Sequence, residues 1–266
     1  MIGWARLVIA LTCVIMATLV LVPLQIVAMW TGWFSENFAR SLWHRINIKA
    51  LGFRIHVVGE MTPQRPLLIA SNHISWTDIE VMASLFDMTF IAKSDIDKWP
   101  VIGKLFRLQR PIYVERERRR KTGQQASEIA QRMAGSQPIV LFPEGTTGDG
   151  NMILPFKTSL FGAAALAIGR GIRETVHIQP VAVVYTRVQG VPMGRLHRPL
   201  AAWIGDSELL PHLSALLRGG GIDVELHFGR PIEFSAGTSR KEAARQVETQ
   251  VRAMMQAALR DPRSGA

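Results

Sequence analysis

The chain has 266 residues, with 31 Lys and Arg against 21 Asp and Glu and a formal net charge of +10. That length holds one sizeable α/β core with an appendage and excludes two large cores joined by a linker, while the charge favours anionic partners: nucleic acid, an acidic carrier or an anionic membrane surface. The single cysteine, Cys13, excludes an internal disulfide and a cysteine-rich zinc site, and fits a reducing compartment.

Positions 7–30 carry no charged residue. At about 1.5 Å rise per residue they reach across the ~30 Å hydrocarbon layer as one helix. The run exceeds the ~7 to 15 apolar residues of a cleaved signal peptide, so a retained anchor is expected. Only Arg6 and the terminal amine precede it, whereas Arg40, Arg45 and Lys49 follow, which places the body on the cytoplasmic side. Pro23 leaves open a kinked or re-entrant helical hairpin in place of a clean span. Trp30, Trp33, Phe34, Phe38 and Trp43 then stand among a few charges. They fit an amphipathic segment at the interface or an ordinary helix packed on the body.

Short apolar runs rich in β-branched residues recur at 53–58, 67–70, 89–92, 111–114, 139–142, 177–185 and 224–228, and read as strands. Helical stretches lie between them at 122–134 and at 155–169, the second closing on glycine as a helix stop does. In the last stretch Ser239 and Glu242 have the spacing of a capping box, and Ala244, Val247, Val251, Met254 and Ala258 repeat along one helical face. Glycines 219–221 read as a loop. The alternation predicts an α/β fold with a mixed, largely parallel sheet flanked by helices.

Ser71-Asn72-His73-Ile74-Ser75-Trp76-Thr77-Asp78 follows directly on the apolar strand at 67–70 and runs into a helical pattern. His73 is thus expected in a strand-to-helix loop, with Asp78 about one turn into the helix and within reach. A carboxylate that accepts one imidazole N–H fixes the tautomer and stabilises imidazolium, leaving the other nitrogen free to take a proton from a hydroxyl. This is two thirds of the triad arrangement, without a serine. His followed by Asp at five residues is common by chance, but none of the other histidines here has an acidic residue at that offset.

The second element is Leu141-Phe142-Pro143-Glu144-Gly145-Thr146-Thr147-Gly148-Asp149-Gly150, a strand running into a glycine-rich turn. Such a turn suits phosphate or hydroxyl ligands, because glycine lets backbone donors approach closely; it equally suits a plain connection to the helix that follows.

Together the two elements resemble the signatures of the glycerolipid acyltransferase family, which includes 1-acylglycerol-3-phosphate and lysophospholipid acyltransferases. Ala92-Lys93-Ser94 with Trp99-Pro100 and Gly103 is similar to the family's segment between its first two blocks. Ile112-Tyr113-Val114-Glu115-Arg116 resembles the second block and Gln179-Pro180-Val181 the fourth. The resemblance covers roughly residues 56–185. It divides the chain into an anchor with an interfacial helix at 1–50 and a catalytic domain at 51–266.

The resemblance implies His73 as general base and Asp78 as its orienting partner, with no acyl-enzyme. It places Glu144, Gly145 and Thr146 at the acceptor site and Arg116 on its phosphate, with Asn72, Lys93, Thr147 and Lys157 among the binding residues. No metal or cofactor is implied. The donor is acyl carrier protein or acyl-CoA as co-substrate, and the other partners are a lysolipid acceptor and the membrane, with no nucleic acid. The location implied is a bacterial inner membrane, catalytic domain cytoplasmic. The first expectation is transfer to the free hydroxyl of 1-acylglycerol 3-phosphate, forming phosphatidate in phospholipid biosynthesis; the rival acceptor is lyso-ornithine lipid, used by bacterial relatives.

Two positions depart from the family pattern. Thr147 stands where arginine often follows Glu-Gly-Thr, and Arg110-Pro111 replaces the glycine that usually opens the second block. Thr147 removes a cation from the acceptor site, but Arg116 and Lys157 remain to contact a phosphate.

Other classes lack their residues. The basic run at 116–121 has no recognition motif beside it and suits anionic headgroups, an acidic carrier or solvent. A lipid hydrolase has only Gly205-Asp206-Ser207-Glu208-Leu209, a faint signature placed late in the chain. No Gly-x-Ser-x-Gly elbow, His-Glu-x-x-His motif or P-loop occurs. A non-enzymatic scaffold leaves His73, Asp78 and Glu144 unexplained.

Overall fold

The computed structural model of the chain describes residues 1–114, 127, 129, 131–133, 135, 137–169, 174–205 and 207–260. Helices α1 (Ile2–Thr31) and α2 (Glu36–Leu51) precede β1 (Phe53–Val58) and β2 (Leu67–Ser71). Then come α3 (Thr77–Leu85), β3 (Thr89–Lys93), α4 (Ile102–Arg107), β4 (Ile112–Val114) and β5 (Ile139–Leu141). α5 (Gly162–Gly169), β6 (Thr175–Val188), β7 (Val191–Pro192), α6 (Leu209–Gly219), β8 (Ile222–Phe228), β9 (Ile232–Ser235) and α7 (Arg240–Arg260) complete the order.

The strands form one sheet in the order β1-β8-β6-β2-β5-β3-β4, with β7 and β9 also paired to β6. The β1–β8, β6–β2, β2–β5, β5–β3 and β3–β4 pairs are parallel, and β6 runs antiparallel to β7, β8 and β9. The mixed, mostly parallel sheet expected from the alternating runs is therefore what forms. β2 is buried at every position, as a short apolar run must be when both faces of its sheet are covered.

Successive strand residues point to opposite faces, and the two faces build two cores. Leu68, Ala70, Ile178, Ala182 and Val184 pack against Ala164 and Ala167 of α5 and Val247, Val251 and Met255 of α7. Leu67, Ile69, Val181, Val183 and Tyr185 face Ile48 and Leu51 of α2, Val81 and Met82 of α3, and Leu216 and Leu217 of α6.

The helix expected over 155–169 is shorter: a 3-10 turn spans Thr158–Phe161 and α5 begins at Gly162. The backbone N–H groups just before it are committed elsewhere, Leu154 to Glu144, Phe156 to Glu248 and Lys157 to the Pro143 carbonyl, so that stretch stays extended. Glu242 turns its carboxylate forward to Arg245 and Gln246 along α7. The helix expected at 122–134 falls mostly outside the described residues.

α1 is one continuous helix through Pro23, so no re-entrant hairpin forms. It is the one helix among the described residues long and apolar enough to cross a membrane by length and composition. It lies along the body. Near its start Arg6 donates to the carbonyls of Gly219 (3.2 Å) and Leu51 (3.0 Å), and at its middle Thr18 accepts from Trp43 Nε1 at 2.8 Å. Near its end Gln25 is buried beside Arg40, Leu108 and Gln109. Arg6, Thr18 and Gln25 of α1 thus face protein, while Val8, Ile9, Ile15, Met16, Leu19 and Val20 stay exposed. α2 buries Ala39, His44, Ile48 and Leu51 and exposes Phe38 and Leu42, the division of an amphipathic helix packed on the domain.

Candidate active site

β2 and β5 are parallel neighbours, with Ala70 opposite Leu141. Both strands therefore end at the same edge, and the loops that follow them meet there. His73 N–H donates to Glu144 Oε1 at 2.8 Å, and Gly148 N–H donates to the His73 carbonyl at 2.8 Å. The two motifs are in this way clipped by one backbone–carboxylate bond and one backbone–backbone bond.

The His73–Asp78 pair is local, as the spacing predicts. The imidazole Nδ1 lies 2.8 Å from Asp78 Oδ2, with the His73 side chain 17% exposed and the Asp78 side chain at 0%. Oδ2 also accepts the N–H groups of Ile74 (2.7 Å) and Ser75 (3.0 Å), so the anionic carboxylate is well supplied with donors. Among the described residues His73 Nε2 has no protein partner, which leaves it available to a reacting hydroxyl. The His73 ring stacks on Phe142, with centroids 4.0 Å apart and planes 14° from parallel.

Asp78 Oδ1 accepts from the Tyr185 hydroxyl at 2.7 Å, and the same hydroxyl lies 2.7 Å from Thr77 Oγ1. Burial, together with the adjacent carboxylate, holds the Tyr185 hydroxyl protonated well above its ordinary range. Tyr185 lies in an apolar run that reads as a strand, and no motif gives it a role. One signal was available, since it is one of two tyrosines in the chain and sits in an otherwise apolar run.

Several residues expected to bind substrate are occupied with holding the loops. Asn72 is 1% exposed; its Nδ2 donates to the Val183 carbonyl (2.9 Å) and its Oδ1 accepts Val183 N–H (2.8 Å), tying the loop to β6. Each end of the buried amide is bonded to β6, so Asn72 positions the His73 loop. Glu144 is 3% exposed, and its two oxygens take the N–H groups of His73 and Leu154. Burial pushes its carboxyl up to about 7 against the pull of those donors. The Thr147 hydroxyl donates to the Trp203 carbonyl, and Trp203 N–H donates to the Ile74 carbonyl at 2.9 Å.

Gly145 takes φ +72°, a left-handed conformation natural to glycine, and a Cβ there would stand 2.7 Å from Lys157 Nζ. Lys157 is exposed and covers this glycine, and Thr146 is exposed beside it. Arg116 and the side chain of Lys93 lie outside the described residues. No group of three or more His, Cys, Asp or Glu that could hold a metal occurs among the described residues.

A family model described as Acyltransferase matches residues 54–184. The chain is 45% identical over 260 residues to the lyso-ornithine lipid O-acyltransferase of Rhizobium meliloti, covering 98% of this chain and 89% of that one. It is 48% identical over 261 residues to the enzyme of the same name from Brucella abortus, covering 97% of each. The crystal structure of the 1-acyl-sn-glycerophosphate acyltransferase PlsC from Thermotoga maritima shares the fold, with a TM-score of 0.67 at 19% identity over 100% of both chains. The motifs, their meeting at one sheet edge and the full-length similarity agree, and the chain belongs to the glycerolipid acyltransferase family.

Proposed function

We propose that this enzyme transfers a fatty acyl group from a thioester donor to the free hydroxyl of a lyso-ornithine lipid. The observation that carries the acceptor is the similarity, along nearly the whole chain, to two bacterial enzymes whose names state it. This reverses the order expected from the motifs, in which lysophosphatidate stood first. Thr147 supports the reversal, because its hydroxyl is spent on the Trp203 carbonyl where relatives often carry a cation. Family membership also removes the lipid-hydrolase and scaffold readings.

In this reading His73 Nε2 takes the proton of the acceptor hydroxyl as the oxygen attacks the thioester carbonyl. The tetrahedral intermediate collapses to the ester, the C–S bond breaks, and the leaving thiolate takes the proton back from His73. Asp78 stabilises the imidazolium formed between the two steps. A thioester is already activated, so a positioned base worth ~100- to 10,000-fold plus alignment of hydroxyl and carbonyl is a sufficient mechanism. Glu144 serves as the clip that holds the His73 loop against the Leu154 backbone. The net charge of +10 suits an acidic donor, acyl carrier protein or acyl-CoA, and no further cofactor is required.

Residues 1–50 would anchor the protein to the membrane, with the catalytic domain, residues 51–266, on the cytoplasmic side. α1 would lie in the interface with its exposed apolar side toward lipid, since both of its ends rest on the body. A cavity of about 250 Å³ beneath it, lined by Leu11, Val14, Trp76, Leu105, Phe106 and Leu213, offers an apolar place for an acyl chain beside the His73 loop.

A second reading keeps lysophosphatidate, favoured by exposed Lys157 over the Glu-Gly-Thr turn. Membranes carrying the protein, offered both acceptors with a labelled acyl donor, separate the two. Label transferred to lyso-ornithine lipid, and lost in His73→Ala, is the expected result; His73-dependent transfer to lysophosphatidate alone would replace the acceptor.

A further inference from the structure

The turn that flanks His73, residues 144–151, reads Glu-Gly-Thr-Thr-Gly-Asp-Gly-Asn and contains no cation of its own. Its two ionisable side chains, Glu144 and Asp149, are both acids. A headgroup carrying a carboxylate or phosphate therefore needs a positive charge brought from elsewhere.

Lys157 covers Gly145 at one end of the turn, and the fold brings a second cation to the other end. Arg198 opens a 3-10 turn, Arg198–Leu200, and its Nη1 donates to Asn151 Oδ1 at 3.0 Å. Asn151 is itself fixed, because its N–H and Nδ2 donate to the two oxygens of Asp149 at 2.9 and 3.0 Å and Nδ2 also reaches the Arg195 carbonyl at 3.3 Å. A methyl placed on Gly150 would meet Ile74 at 3.6 Å and Arg198 Cβ at 3.7 Å, so Arg198 stands beside the residue that follows His73. Its segment is pinned at both loops by Trp203, whose N–H donates to the Ile74 carbonyl and whose carbonyl accepts from Thr147.

The guanidinium is held there without being used up. Arg198 is half-buried, and its Nε is shielded from solvent with no hydrogen-bond partner among the described residues. A shielded guanidinium N–H is costly to leave unpaired, and a planar fork with free donors is the geometry that grips a carboxylate or phosphate. Exposed Arg195 lies close enough to act on it electrostatically and adds positive potential, opposed by the Asp149 carboxylate.

We propose that Arg198 binds the anionic group of the acceptor's headgroup. This rests on the acceptor assigned above only for the identity of that group, the ornithine α-carboxylate; a lysophosphatidate phosphate would use the same donors. Arg198 sits about 50 residues beyond the motif loop, on a segment that no family motif covers. The fold substitutes it for a cation within the loop.

The test compares the full chain in membranes with Arg198→Ala and Arg198→Lys on three acceptors: lyso-ornithine lipid, the same lipid with its headgroup decarboxylated to a putrescine amide, and lysophosphatidate. Arg198→Ala is expected to raise KM for lyso-ornithine lipid about 10- to 100-fold while changing transfer to the putrescine analogue by less than about twofold, with Arg198→Lys between the two. Equal losses on both ornithine-type acceptors, in either variant, would mean that Arg198 only braces the loop, and an unchanged KM would remove it from the site; each overturns the proposal. If the wild type uses lysophosphatidate and ignores lyso-ornithine lipid, the assigned acceptor fails, and a KM effect of Arg198→Ala on lysophosphatidate would still uphold the anion site.

Discussion

The hydroxyl of Tyr185 donates to Oδ1 of Asp78 at 2.7 Å, on the far side of the carboxylate from the His73 imidazole. The fully buried phenol fixes the plane of a carboxylate whose other oxygen already receives His73, Ile74 and Ser75. Tyr185→Phe deletes one charge-assisted bond and leaves Oδ1 and Thr77 Oγ1 short of a partner. The expected outcome is a loss of ~10-fold in kcat with KM little changed, and a stability loss of ~1 to 3 kcal/mol. Steady-state kinetics with thermal unfolding in detergent checks both, and full activity would show that the backbone donors alone orient Asp78.

Asp78→Asn keeps the shape of the pair and removes the charge that fixes the His73 tautomer and stabilises imidazolium. A fall in kcat of ~100- to 10,000-fold is expected, with acceptor KM nearly constant. Circular dichroism should show the fold retained, since the variant's amide oxygen can still accept from the loop.

Glu144 makes stability depend on pH. Its carboxyl is pushed up to about 7 in the folded chain from an ordinary 4.5, so between those values the folded state holds a proton that the unfolded state has released. Stability from this group is present below about 4.5 and declines as pH rises toward 7, by ~3 kcal/mol across the window. Unfolding measured from pH 4.5 to 7.5 should show that decline in the wild type and its absence in Glu144→Gln. Parallel curves for the two proteins would assign the slope to another group.

Gly145→Ala tests the turn. The added methyl has to adopt φ +72° and approach Lys157 Nζ, at a cost of ~1 to 2 kcal/mol. Displacement of Glu144 and Thr146 on either side should lower kcat/KM by ~10-fold or more. Wild-type kinetics in this variant would show that the turn tolerates relaxation and does not set the acceptor's position.

The parts of the site legible in the sequence are those whose residues lie close along the chain. His73 and Asp78 are five residues apart within a single strand-loop-helix unit, so one apolar strand followed by one helical pattern suffices to bring them together. The Phe-Pro-Glu-Gly-Thr turn is legible for the same reason, because its glycines and its strand are contiguous. The alternation of apolar runs likewise implied a mostly parallel sheet, although α4, α6, β7 and β9 are too short or too mixed in composition to announce themselves.

What the tertiary structure alone decided is which distant groups serve those loops. Asn72 meets Val183, Asp78 meets Tyr185 and His73 meets Glu144 only because β5, β2 and β6 lie side by side, and strand order is not written in the periodicity of any one strand. Composition likewise marked α1 as long and apolar. It lies along the body because Arg6 and Thr18 find hydrogen-bond partners there and Gln25 is buried against it. Periodicity and spacing report interactions within one element, whereas a hydrogen bond between elements exists only once packing has made them neighbours.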